Sequence, residues 1–366
     1  MKIHTIHNGC EANLADSEQS KIDLIAKNGF ELSNKADSDY IIFHSCTFTK
    51  LKEEETINTI ESLLKSTDKK IIVSGCFLNE YIKNDRIQYV KNEKLPGLDW
   101  VGISKKQSHK VIEKKAKTLL PFITISRGCY GNCSFCSIKL AQGNNKSKDL
   151  ESILKDVELR KDLDYIKLVG DEVAGYGLDK NLSLKILLEI IIEKFPTLKI
   201  KLGSLNCKLL KRYSIDELKI FAHPNIIGNI HMPIQSASNR ILKLMNRGYT
   251  IEEYLEVFNK LKSIGVVKVS GDLICGFPKE TEIDHEKNIR FISDNNFEFL
   301  EVFAYTEREG TKASTYTQLP NQIREERTIQ IIVNFMKSYC NWHNISINDL
   351  VKNKQYKIFN TNIKID

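Results

Sequence analysis

Three short apolar runs in the first hundred residues share one design. Lys2 to His7 leads into Gly9-Cys10, Tyr40 to Phe43 into Ser45-Cys46, and Lys70 to Val73 into Gly75-Cys76. Each is β-branched or aromatic and reads as a buried strand that ends at a cysteine. Helical patterns lie between them. Asp16-Ser17 is placed to cap Glu18 to Asn28, which Gly29 stops, and Glu53 to Lys65 carries Ile57, Ile60, Leu63 and Leu64 on one face. The alternation predicts a parallel sheet whose strand-end loops share one edge. Three thiols remote in sequence then converge at that edge, a geometry suited to three ligands of one metal cluster; the alternative is three unrelated core thiols.

A second alternation begins at Pro121. Strand-like runs at 121–126, 164–169, 199–205, 226–234, 266–275 and 299–305 are separated by helical patterns at 149–162, 183–195, 215–221, 237–262 (interrupted near Arg247-Gly248) and 283–294. The predicted class is α/β: an N-terminal parallel-sheet, Rossmann-like domain followed by a partial (β/α)6 TIM-type barrel. Chemistry in such a barrel collects at the carboxyl ends of the strands. Polar or glycine-rich turns follow the runs there: the Cys129 loop, Gly170-Asp171-Glu172, Gly203-Ser204, Gln235-Ser236, Gly276-Phe277-Pro278 and Tyr305-Thr306. Arg324 to Tyr339 reads as a last helix, and the remaining residues hold one strand-like run, Gln355 to Ile365. The expected division is 1–118 for the N-terminal domain with a basic linker, 119–336 for the barrel and 337–366 for a tail.

Composition narrows the class. Hydrophobic content of 41% and charged content of 28% are those of an ordinary globular chain. The longest apolar run, Leu184 to Ile192, is broken by Lys185 and Glu189 and is too short to span a bilayer. Met1 to Thr5 lacks the build of a signal peptide. A cytoplasmic protein without membrane contact is expected, with its nine cysteines reduced and available for metal. The net charge of +7 permits a polyanionic partner without establishing one. Residues 83–117 hold ten Lys or Arg against four acidic residues and read as a solvated linker or as an RNA track.

Cys129-Tyr-Gly-Asn-Cys133-Ser-Phe-Cys136 places three thiols within eight residues. Structural zinc sites use paired ligands from separated clusters, and no matching pair follows. Three thiolates fit a [4Fe–4S] cluster with one open iron, because a fully protein-held cluster takes four. A chance group of buried cysteines is the alternative. CxxxCxxC is the motif of radical S-adenosylmethionine (SAM) enzymes.

The resemblance extends further. Gly9-Cys10-Glu-Ala-Asn13-Leu-Ala-Asp16-Ser17-Glu18, Ser45-Cys46-Thr47-Phe-Thr49 and Gly75-Cys76 resemble the N-terminal domain of the radical SAM methylthiotransferases. Gly170 to Gly177, His231-Met232-Pro233-Ile-Gln235-Ser236, Leu244 to Thr250 and Asp272 to Thr281 resemble that family's barrel motifs, and the likeness runs from Ile6 to Met336. His44 stands where the family has Asn. It reads as a tolerated surface change, with a hydrogen bond to the cluster of Cys10, Cys46 and Cys76 as the other reading. Phe77-Leu78 also depart from the polar or Pro-containing residues usual after Cys76.

The resemblance implies two [4Fe–4S] clusters, held by Cys10, Cys46 and Cys76 and by Cys129, Cys133 and Cys136, with SAM as cofactor. SAM would chelate the open iron of the second set, near Phe135, Gly170, Glu172, Ser204, Gln235 and Gly276. Gln235 is alternatively a satisfied buried amide. Cys207, Cys275 and Cys340 read as core packing. In the implied reaction one SAM methylates a sulfur on the Cys10/Cys46/Cys76 cluster, which makes these the catalytic cysteines. A second SAM is cleaved to a 5′-deoxyadenosyl radical that takes a substrate hydrogen, so that an unactivated C–H bond becomes C–S–CH3. A flavodoxin or ferredoxin would supply electrons.

Two departures bear on the substrate. The family's Arg-Gly-x-x-x-Ser-Arg segment reads Gln142-Gly143-Asn-Asn-Lys146-Ser147-Lys148, losing two bidentate guanidinium forks. The family's C-terminal TRAM barrel is expected to be absent, because the tail is too short to build one. Both favour a polypeptide side chain over the alternative, a modified adenosine 37 of tRNA, since phosphate contacts supply much of nucleic-acid affinity. Against them, His231-Met232-Pro233 and Ile274 to Pro278 look most like the branch acting on threonylcarbamoyladenosine in tRNA. A cobalamin-type radical SAM methylase and a non-enzymatic Fe–S protein are the remote alternatives.

Overall fold

The computed structural model describes residues 1–47, 49–91, 119–352 and 359–361. It parts into two compact units, Met1–Cys129 with Ser137–Asp171, and Tyr130–Cys136 with Glu172–Asp366.

The first unit opens with β1 (Lys2–His7), α1 (Glu11–Asn28), β2 (Glu31–Leu32), β3 (Tyr40–Ser45), α2 (Lys50–Ser66), β4 (Lys70–Gly75) and β5 (Ile87–Tyr89). The strands form a wholly parallel sheet in the order β2-β1-β3-β4-β5. Both faces of its centre are covered. Ile42 and Ile72 pack with Ile3, Leu24 and Phe30, while Ile41, Phe43, Ile71 and Val73 pack with Ile60 and Leu63 of α2. Double burial is why these strands read as continuous apolar runs rather than alternating ones. The short edge strands β2 and β5 carry no such run, and the sequence pattern passes over them. His44 is fully buried in β3, not a surface change as expected from the sequence. Its register against His7 and Ser74 keeps it within the sheet.

α1 begins at Glu11, directly after Cys10, rather than at Glu18. Tertiary packing extends it: Ala12 and Ala15 lie against Val169 and Phe122. The expected cap residues Asp16 and Ser17 therefore sit inside the helix, and Gly29 ends it. α2 starts at Lys50, with the Thr49 hydroxyl accepting from the Lys52 N–H.

The same unit holds β6 (Phe122–Arg127), α3 (Ile138–Gln142), β7 (Lys146–Ser147), α4 (Leu150–Glu158) and β8 (Tyr165–Gly170). β6 pairs with β8 in parallel and with β7 antiparallel. Polar groups of α1 fasten these elements. Thr124 Oγ1 donates to Asp16 Oδ1 at 2.6 Å, Arg127 bonds Asp16, and Lys167 Nζ lies 2.5 Å from Glu11. The buried Arg160 donates to Glu18 Oε2 at 2.8 Å and to the Leu120 carbonyl at 2.8 Å.

The second unit contains α5 (Leu184–Lys194), β9 (Lys199–Leu202), α6 (Cys207–Leu210), α7 (Ile215–Leu218), β10 (Ile230–His231), α8 (Asn239–Leu244), α9 (Ile251–Ser263), β11 (Val269–Cys275), α10 (Glu282–Asp294), β12 (Phe299–Ala304), α11 (Asn321–His343), α12 (Ile347–Lys352) and β13 (Phe359–Thr361). β10-β11-β12-β13 form a parallel sheet. The run 226–234 yields only a two-residue strand, because Pro233 offers no N–H and Gln235 turns left-handed at φ 72°. The helical pattern at 237–262 divides into α8 and α9, and Thr250 opens α9 with a capping box to Glu253. β13 comes from the predicted tail and adds a strand beside β12.

Most of the basic stretch 83–117, from residue 92 on, lies outside the described residues, as does the boundary at 118. Of the run 355–365 only 359–361 are described. No helix among the described residues is long and apolar enough to cross a membrane.

Glu18→Gln removes the counter-charge of the buried Arg160 guanidinium and is expected to lower stability by about 3 kcal/mol. Thermal unfolding followed by circular dichroism checks this, and an unchanged midpoint would show that the pair does not support the fold.

Candidate active site

Strand order prepares the first group of thiols. The chain winds from β1 outward to β2, then returns to place β3 on the other side of β1. Ligand sites in open α/β sheets form at this reversal, beyond the carboxyl ends of the strands. Cys10 leaves β1 and is the N-cap of α1, Cys46 follows β3, and Cys76 follows β4. Cys10 is exposed, whereas Cys46 and Cys76 are buried. The structure brings all three together: the Cys10 and Cys46 thiols share a hydrogen bond, and Cys76 feels the charge of Cys10.

Hydrogen bonds hold the three loops in register. Asn8 Oδ1 accepts the Cys46 N–H at 2.9 Å, while Asn8 Nδ2 donates to Thr56 Oγ1, which donates to the Cys46 carbonyl, each at 3.0 Å. The Asn13 amide donates to the Ser45 carbonyl. Ser45 Oγ lies 2.8 Å from the Ser74 carbonyl and 2.9 Å from that of Cys76. Gly75 has φ 93°, and a Cβ there would sit 2.4 Å from the Ser45 oxygen, so only glycine fits.

The Cys46 hydrogen bond pushes the Cys10 thiol up, and burial pushes Cys76 up to about 12. Such thiols become ligands only as metal displaces their protons. Two side chains lower the cost. Gln142 Nε2 donates to Cys76 Sγ at 3.0 Å, and the Arg127 guanidinium favours the thiolates of Cys10 and Cys76. Arg127 is itself held by Asp16 at 2.7 Å, Asp171 at 3.2 Å and the Ala12 carbonyl at 2.7 Å. Among the described residues, no three of His, Cys, Asp and Glu close around a single ion. A four-iron cluster, unlike a single ion, spreads its thiolates over separate irons.

The second group lies in the loop after β6. In the first unit the Cys129 N–H donates to the Gly143 carbonyl at 3.2 Å. In the second unit the Cys136 N–H donates to the Cys133 carbonyl at 3.2 Å, and Ser134 bonds Met245 and Leu244 through its N–H and hydroxyl. Arg247 Nη1 donates to Cys133 Sγ at 3.2 Å, and Arg247 Nε donates to the Tyr249 hydroxyl at 3.1 Å. Phe135 meets Phe277 edge-on at 6.5 Å, in a cluster with Ile241, Met245 and Tyr305.

The expected SAM residues fare differently. Glu172 is buried and accepts the Asn206 N–H at 3.3 Å; burial pushes its carboxyl up to about 7. Ser204 stands in the same β9–α6 loop, two residues before Asn206. Gln235 combines a left-handed backbone, at φ 72°, with a buried Oε1 that has no hydrogen-bond partner. The two glycines have structural reasons of their own. A Cβ at Gly170 would lie 2.8 Å from the Ser126 oxygen. Gly276 has φ 68°, and a Cβ there would lie 2.4 Å from Arg324 Cγ. Cys207, Cys275 and Cys340 are buried.

Sequence reasoning gave no role to Arg127 or Arg247, the two guanidinium groups that serve cysteines. The available signal was position: Arg127 is a cation at the end of an apolar strand, directly before Gly128-Cys129. Sequence reasoning placed His231 and Asp272 in separate motifs without pairing them: on the β10–β11 sheet His231 Nε2 lies 2.8 Å from Asp272 Oδ1, and Nδ1 lies 2.9 Å from Ser270 Oγ.

An α/β barrel with three cysteines after its first strand defines a radical SAM enzyme. Residues 123–292 match the family model described as Radical SAM superfamily, and residues 2–93 match Uncharacterized protein family UPF0004. The tRNA-2-methylthio-N(6)-dimethylallyladenosine synthase of Thermosipho melanesiensis is 31% identical over 98% of this chain and 87% of its own. The threonylcarbamoyladenosine tRNA methylthiotransferase MtaB of Aquifex aeolicus is 31% identical over 89% of this chain and 86% of its own. The chain belongs to the radical SAM methylthiotransferase family. It is an enzyme that inserts sulfur and methyl, using SAM and two [4Fe–4S] clusters. Among solved structures, the radical SAM methyltransferase TsrM of Kitasatospora setae has a TM-score of 0.56 at 12% identity, covering 95% of this chain and 90% of its own. The cobalamin-dependent enzyme OxsB gives 0.54 at 12% identity, covering 93% of this chain and 56% of its own. At that identity the likeness is one of fold.

Glu172 generates a pH prediction. The folded chain keeps its proton up to about 7, whereas an ordinary glutamate releases it near 4.5. Between these values the folded state binds more protons than the unfolded, so stability falls as pH rises. Glu172→Gln is expected to flatten that fall, and Glu280, also raised to about 7 by burial, leaves a remainder. Denaturant midpoints at about pH 5 and about pH 8 test this, and identical slopes in wild type and variant would refute it.

Proposed function

We propose that the chain is a tRNA methylthiotransferase that converts a C–H bond of a modified adenosine, at position 37, to C–S–CH3. The observation that carries this reading is the pair of 31%-identical relatives named for tRNA methylthiolation, each matched along more than four fifths of its length. The polypeptide substrate expected from the sequence gains no support, because the compared relatives are named for tRNA. Its argument from the Arg-depleted loop also weakens. Gln142 is turned onto Cys76, so its position speaks of the cluster rather than of a lost phosphate contact.

Within this reading Cys129, Cys133 and Cys136 hold the SAM-binding cluster in a radical SAM domain spanning 119–336. Cys10, Cys46 and Cys76 hold the auxiliary cluster in the domain spanning 1–118. When bound, these groups supply reductive cleavage of SAM and the sulfur to be transferred. The chain's own residues orient them. Arg247 donates to the Cys133 sulfur, which offsets negative charge on that ligand. The Glu172 carboxyl, neutral until about 7 in the isolated site, ionises against the ammonium group of SAM. Gln235 offers its unpartnered Oε1 to a donor on SAM or substrate. Phe135 gives the adenine an apolar neighbour, and Ser204 adds a hydroxyl from the β9–α6 loop. A flavodoxin- or ferredoxin-type donor in the cytoplasm completes the system.

The test is anaerobic reconstitution with tRNA and peptide pools, followed by mass spectrometry of nucleosides and peptides. Wild type is expected to give a methylthiolated adenosine. Cys10→Ala is expected to lose that product by more than about a hundredfold (close to 3 kcal/mol or more) while still forming 5′-deoxyadenosine. Cys133→Ala is expected to lose both. A methylthiolated peptide without a modified nucleoside overturns the assignment.

A further inference from the structure

Gln142 is the last residue of α3, and its side chain is accounted for by neither substrate nor SAM. Its Nε2 lies 3.0 Å from Cys76 Sγ and 3.5 Å from the Gly75 carbonyl, so the amide N–H groups point at one ligand loop. The next residue reaches another: the Gly143 carbonyl accepts the Cys129 N–H at 3.2 Å, while the Gly143 N–H closes α3 on Lys139 at 2.9 Å. Cys76 is 4% exposed, so water has little access to its sulfur and a protein donor counts for more there.

We propose that Gln142 is a positioning residue for the auxiliary cluster, donating a neutral hydrogen bond to the Cys76 ligand sulfur and thereby setting that cluster's reduction potential. This rests on the reading that Cys10, Cys46 and Cys76 hold a cluster. An N–H···S bond stabilises the reduced, more negative cluster and raises its potential. An arginine, which the resembling family carries at this position, would add a full positive charge. In this chain the nearby charge comes from Arg127, which two carboxylates balance. The site therefore tunes its cluster with a neutral donor and a compensated cation.

The experiment uses the full chain carrying Cys129→Ala, Cys133→Ala and Cys136→Ala, so that only the auxiliary cluster loads. Iron content is measured first, then the midpoint potential by redox titration with electron paramagnetic resonance detection. Gln142→Leu is expected to lower the midpoint and Gln142→Arg to raise it. Each change is expected to alter the reduced-to-oxidised ratio at a fixed potential by up to tenfold, about 59 mV for a one-electron couple. Full iron content with an unmoved midpoint in both variants overturns the inference and leaves the cluster assignment standing. No iron in the triple variant overturns both. If Gln142→Leu fails to load, Gln142→Arg decides alone: an upward shift supports the inference and an unmoved potential overturns it.

Discussion

A partly buried guanidinium is the point on which the first unit turns. Arg127 ends β6, one residue before Gly128-Cys129, and lies between α1 and the start of the cysteine loop. Burial works against its charge; Asp16 from α1 and Asp171 from the end of β8 overcome that penalty. Removing one partner would leave this partly buried cation with a single carboxylate, a larger loss than that of an exposed surface pair. The arrangement also fixes function. The same cation that fastens α1 to the barrel strands favours ionisation of Cys10 and Cys76. The position of α1, and hence of Cys10 at its first turn, is thus set by a bond whose charge the thiols need.

Much of this was legible because parallel strands buried on both faces leave continuous apolar runs. β1, β3 and β4 were read within two residues, and so were the cysteines at their ends. The shared edge followed from topology alone. What escaped was whatever depends on pairing rather than pattern. β2 and β5 are too short to carry a period, and α1 starts early because Ala12 and Ala15 find Val169 and Phe122. His44, standing where the family has Asn, reads from the sequence as a tolerated surface change. In the structure it is buried, within a sheet covered by helices on both sides.

The candidate SAM residues show a different limit. Glycines and acids at strand ends are expected of any barrel of this kind, and sequence cannot separate those the fold needs from those a ligand needs. Gly276 is required by its left-handed backbone and by Arg324, whatever binds nearby. Gln235 has no such excuse. A non-glycine residue held left-handed, with a buried amide oxygen left without a partner, stores strain and an unmet hydrogen bond that a compact fold would otherwise avoid. That separates it physically from its neighbours.

Reading Gln142 as a missing phosphate contact shows how residue type alone misleads. The change from guanidinium to amide does remove a charge and a bidentate fork. Whether that weakens RNA binding depends on what the position faces, which no spacing rule reveals. Here the position faces Cys76 Sγ, so if Cys76 is a cluster ligand the energetic consequence moves from substrate affinity to the electronics of that cluster. A departure from a family pattern is therefore informative about function only after its direction in space is known, and here that direction leads inward.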